Sequence, residues 1–181
     1  MDDIVRQAMA KWPNVPHCYG WLGLDARGNW YMRDDASQSA GSFASGNKGA
    51  KGSLLQHEKL IDFIQRNYGV DEAGQWFFQN GPQRVYVELE STPWVWRVDA
   101  NFAIHSHSKM PADFRAAYLD EHGWLYLETS LGFGLVHTQD MGYAADAIDK
   151  SLWVPESVMR GHLPGRFLFL ASPQQQQKKA D

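Results

Sequence analysis

The sequence predicts an α+β fold: mostly antiparallel sheets built from repeated β-hairpins, with a few packed helices and room for two lobes. One observation is a phrase used three times: LDARGNWYM, VDEAGQWFF and LDEHGWLYL, starting at Leu24, Val70 and Leu119. Each is an apolar residue, Asp, two variable residues, Gly, one more residue and an apolar or aromatic run. The starts lie 46 and then 49 residues apart, a spacing that suggests repeated units. A second observation is that aromatics make up 13% of the chain, with eight Trp, which favours sheets with bulky cross-strand pairs over a helical bundle. A third is that helical periodicity is confined to a few short segments.

The elements follow in order. Ile4, Val5, Ala8, Met9 and Trp12 share one side of a first helix, with Asp2 and Asp3 at the positive end of its dipole and Pro13 and Pro16 ending it. In the first phrase Asp25 starts a turn by accepting a backbone hydrogen bond, and Gly28 closes it because glycine takes positive φ without a Cβ clash. Strand, short turn and strand make a hairpin. Residues 39–53, SAGSFASGNKGAKGS, read as a mobile Gly/Ser connector. Gly41 and Gly46 have the spacing of a phosphate loop, but Asn47 stands where the loop needs Lys, so the match fails.

Ser53 and Gln56 form a capping-box pair ahead of the strongest helix, LLQHEKLIDFIQRNY, and Gly69 offers its C-terminal cap. The second hairpin follows. In GPQRVYVELE, Val85, Val87 and Leu89 alternate with Arg84, Tyr86 and Glu88, the pattern of a half-buried antiparallel strand. PWVWRV and FAIHSHS read as two strands joined by the turn DAN. The third hairpin, a helix over DMGYAADAI capped by Asp140, and a strand RFLFLA come next. The elements group as an N-terminal helix and hairpin-helix-hairpin lobe over 1–98, a mainly β lobe over 99–172, and a disordered polar tail over 173–181.

The order from Leu22 to Val98 resembles a bacterial family of unknown function: hairpin WLGLDARGNWYM, Gly/Ser loop, helix, hairpin VDEAGQWFFQNGP and strand VYVELESTP. The whole chain is similar to small uncharacterised proteobacterial proteins of the same style. The resemblance implies a cytoplasmic, two-lobed α+β protein with a regulatory or signalling role. It supplies no catalytic residues.

The residues themselves exclude several classes. A net charge of −4 leaves no broad basic surface for nucleic acid. The single Cys18 rules out an internal disulfide and a four-thiolate metal site. The first residues lack the basic and apolar regions of a secretory signal, and no run is long enough for a membrane span. A cytoplasmic protein with no membrane partner is expected. Neither a nucleotide loop nor a cofactor fingerprint is present, and no cofactor is expected.

Two constellations carry the candidate site. His105 and His107, two apart, project from one strand face and could share a divalent metal, but a third ligand is missing from the local sequence, so no metal site is assigned. Trp94 and Trp96 share a face, either as core or as the aromatic wall of a ligand groove. The expected function is a small-ligand or protein-binding regulatory module using Trp94, Trp96, His105 and His107, with an unknown small molecule or protein as partner. The alternatives are a metal-dependent hydrolase using His105 and His107, or a structural adaptor.

Overall fold

The computed structural model describes residues 1–180; the last residue of the polar tail lies outside the described residues. The fold is α+β, with two mixed, mainly antiparallel sheets. The chain divides into two compact units. The first holds Met1–Asp25, Asn29–Glu90 and the segment from Phe169 on; the second holds Ala26–Gly28 and Ser91–Leu168.

The first unit opens with α1 (Asp3–Lys11), which buries only Val5; Ile4 and Trp12 are exposed, so the predicted apolar side is used in part. Its strands are β1 (Cys18–Leu24), β2 (Trp30–Met32), β3 (Ser53–Leu54), β4 (Tyr68–Val70), β5 (Trp76–Asn80) and β6 (Gln83–Leu89). They lie in the order β3-β2-β1-β6-β5-β4, and only the central pair β1 and β6 is parallel. This placement explains why β6 is buried on both faces from Tyr86 to Leu89 rather than on alternate residues. Helix α3 (Glu58–Arg66) packs on β5, and its N-cap is His57, whose Nδ1 accepts the Leu60 N–H at 3.3 Å. The predicted cap, Ser53, is taken by β3 instead, and Gly69 lies in β4.

Residues 39–53 are not a free connector. After α2 (Asp35–Ala40), capped by Asp34, the loop wraps the Arg33 guanidinium, which is 1% exposed. Arg33 donates to the carbonyls of Ala50 at 2.8 Å, Gly20 at 3.2 Å, Ser37 at 3.3 Å and Gly41 at 2.6 Å. Phe43 and Ala50 are buried with it. A buried cation has to satisfy its donors internally, and Gly- and Ser-rich backbone supplies the carbonyls.

The second unit contains β7 (Trp94–Val98), β8 (Ile104–Ser106), β9 (Pro111–Ala112), β10 (Phe114–Asp120), β11 (Leu125–Thr129), β12 (Gly132–Val136), helix α4 (Met141–Asp149), edge strand β13 (Pro155–Val158) and the short α5 (Leu163–Arg166). RFLFLA therefore starts in a helical turn, and the only ladder-like feature there is an isolated bridge from Gln75 to Leu170 in the first unit. Asp140 does not cap α4 with its side chain; it pairs with Arg97 instead. The sheet order is β13-β10-β11-β12-β7-β8-β9. Read from β9, it repeats the first unit strand for strand, with β7 and β12 as the central parallel pair and β13 added at the edge.

The hairpin turns show the same repetition. Gly28, Gly74 and Gly123 take φ of 82°, 76° and 79°, as the phrase predicts. Asp71 Oδ1 accepts from the amides of Ala73 and Gln75, and Asp120 Oδ1 from those of His122 and Trp124. A fourth turn has the same construction without the glycine. Asp99 Oδ1 accepts from Asn101 at 2.8 Å and Ala103 at 3.0 Å, and Phe102 takes the left-handed position at φ 64°. The closing pairs are Leu24 with Trp30, Val70 with Trp76, Val98 with Ile104 and Leu119 with Leu125, always six residues apart.

Helix α6 (Pro173–Ala180) replaces the expected disordered tail over its described residues and packs on β1 and β6. Ser172 Oγ and the Gln174 N–H both donate to the buried Glu88 carboxylate. That anchor is why a Gln-rich segment is held.

Candidate functional site

The expected aromatic groove is occupied by core. Trp94 and Trp96 are 5% and 0% exposed, and their rings stack at 5.9 Å with 18° between planes. The Trp96 indole N–H donates to the Leu127 carbonyl at 3.0 Å. Strand alternation puts His105 on the other face, opposite Arg97. His107 lies beyond the end of β8, packs on the Trp94 ring at 5.5 Å and accepts the Val95 N–H at Nδ1. The four residues therefore share no surface: two are core, one is on the opposite face, and one flanks the core. Among the described residues no group of three or more His, Cys, Asp or Glu is placed to hold a metal ion, which leaves the hydrolase reading without a ligand set.

On the His105 face, Arg97 forms a two-bonded pair with Asp140, whose Oδ2 also accepts the Val98 N–H at 3.1 Å. Burial works to raise the Asp140 pKa, but the hydrogen bonds from Arg97 and Val98 outweigh it and hold the carboxyl below its ordinary value. The same contact raises Arg97. This is a satisfied pair that ties α4 to β7, with no open chemistry.

The concave site lies in the first unit. A cavity of about 310 Å³ opens between α3 and the sheet. The sheet wall is Cys18, Leu22, Met32, Phe78 and Val85, and the helix contributes Leu60, Phe63 and Ile64. Trp21 and Met32 are 41% and 46% exposed, so both are open to solvent where they line the cavity. Asn80 adds a side-chain amide, and the lining contains no Asp, Glu, Lys, Arg or His. A local shift in register between β1 and β6, from Cys18 to Leu22, widens the wall; Gly20 within it has φ 82°. Such a surface can take up an uncharged apolar molecule and hydrogen-bond it at one end.

A family model described as "Protein of unknown function (DUF2946)" matches residues 1–179. The chain belongs to this family. No curated protein matches it. A similar solved structure is that of a DUF1285 family protein from Silicibacter pomeroyi DSS-3, at 11% identity and a TM-score of 0.47, covering 81% of this chain and 84% of that one. No helix of this family member is long and apolar enough to cross a membrane, among the described residues.

In this member of the family, part of the cavity lining was visible in the sequence. Leu60, Phe63 and Ile64 carry the helical period, and Val85 lies on the apolar side of an alternating strand. Trp21 and Met32 carried no such signal. Their place on the wall depends on β1 pairing with β6 across more than sixty residues, and a parallel pairing at that distance leaves no local mark.

Proposed function

We propose that this protein is a small-molecule-binding module whose site is the cavity between α3 and the sheet of the first unit. The observation that carries the reading is the cavity itself: about 310 Å³, walled by apolar and aromatic side chains with one amide, within the size range of ligand pockets. The test is a thermal-shift screen of small neutral aromatic and aliphatic compounds. A ligand bound only by the folded chain, present at about 100 times its Kd, adds about 2.7 kcal/mol of stability and raises the melting temperature. Met32→Trp, which fills the open wall with a larger ring, is expected to abolish the shift, while Lys48→Ala in the distant loop leaves it intact. Hits whose shift survives Met32→Trp would refute the site.

A further inference from the structure

We infer, resting on the reading above, that the cavity takes a planar, uncharged, two-ring molecule of the indole kind. The second unit supplies the reason, because it contains the same wall with the space filled.

Counting from the turn aspartates, Leu22 of β1 corresponds to Trp96 of β7, each three residues before the Asp. By the same count Met32 corresponds to Ser106, and Phe78 to Leu127. The parallel ladders extend the match. Leu22 pairs with Val87 and Trp96 with Val136, so Val85 corresponds to Gly134. Cys18 pairs with Val85 and Trp94 with Gly134, so Cys18 corresponds to Trp94. Five sheet residues of the wall thus have counterparts in the second unit: the two stacked indoles, and Ser106, Leu127 and Gly134 beside Trp96.

There the fit is tight. Trp96 is fully buried and its N–H reaches the carbonyl of Leu127, the counterpart of the wall residue Phe78. Gly134 is required: a Cβ at that position would lie 2.6 Å from Trp96 Nε1. In the first unit the smaller Leu22 and Cys18 stand where the second unit has its indoles, and both line the cavity. Its 310 Å³ is about twice the ~150 Å³ apolar cavity known to admit benzene, which matches a second ring. A carboxylate or ammonium inside it would have no charged partner in the lining and would bear its desolvation cost alone.

Calorimetric titration of the full chain with indole, benzene and indole-3-acetate tests this. Indole is expected to bind about tenfold or more tightly than benzene, through the extra buried ring, and than indole-3-acetate, through the unpaired charge. Leu22→Trp, which installs the second unit's own residue, is expected to weaken indole about tenfold or more. Met32→Trp, at a half-exposed position, does the same should Leu22→Trp fail to fold. Equal or tighter binding of benzene or indole-3-acetate, lost in Met32→Trp, would overturn the ligand class and leave the binding site standing. No binding by any of the three probes would overturn the ligand class, and indole binding unchanged in the variants would overturn both.

Discussion

At the scale of single residues, the turns separate what glycine contributes from what aspartate contributes. Asp25, Asp71, Asp99 and Asp120 each accept from the amide four residues on, so the carboxylate is the constant part. Glycine supplies the left-handed residue in three turns and Phe102 in the fourth. Gly123 has nothing within 4 Å of a built Cβ, so Gly123→Ala reports the backbone cost alone and is expected to lower stability by about 1–2 kcal/mol in urea unfolding. Phe102→Gly is expected to do the reverse, raising stability by up to about 1 kcal/mol, because it relieves the same strain. A gain in Gly123→Ala would break the account. The sequence places this fourth turn at DAN, but its kinship with the other three is hidden because VDANFA keeps the spacing without the glycine.

At the scale of elements, Glu88 decides whether α6 stays on the sheet. Burial is the largest influence on this carboxyl and raises its pKa, against the hydrogen bonds from Ser172 and Gln174. A raised native pKa means that the folded chain holds the proton more tightly than the unfolded one. Stability from this group is then greatest below the ordinary glutamate pKa and declines as pH rises through the native value. Melting temperatures measured from mildly acid to neutral pH are expected to show that decline, and Glu88→Gln, which keeps an acceptor without the charge, is expected to flatten it. An unchanged slope in Glu88→Gln would assign the decline elsewhere. None of this was legible in SPQQQQKKAD, whose composition is that of an unstructured segment; the anchor is a carboxylate 84 residues away from Ser172. The Gly/Ser loop was misread for a parallel reason, since its carbonyls are held by the distant donors of Arg33 and its one large apolar side chain, Phe43, is buried with them.

At the scale of the whole molecule, the hairpin architecture was readable and its doubling was not. The three phrases announce turns, but the repeat they belong to is a six-stranded set, each copy of which is closed at its centre by its own parallel ladder. The second set carries all of its strand pairings within residues 94–158. A fragment spanning residues 91–168 is therefore expected to fold alone, melting in one cooperative step with the near-ultraviolet circular dichroism of the stacked Trp94 and Trp96. A fragment without that signal would show that the set depends on the rest of the chain.

The first unit cannot close in the same self-contained way, because Glu88 waits for Ser172 and Gln174. On a ribosome adding about 5–20 residues per second, the 84 residues between Glu88 and Ser172 take roughly 4–17 s to synthesise. Through that interval the nascent chain holds an acidic side chain in a sheet whose covering helix does not yet exist, while the residues from Ser91 to Leu168 are being made. Order of birth and order of completion are thus reversed: the unit begun first is the one finished last.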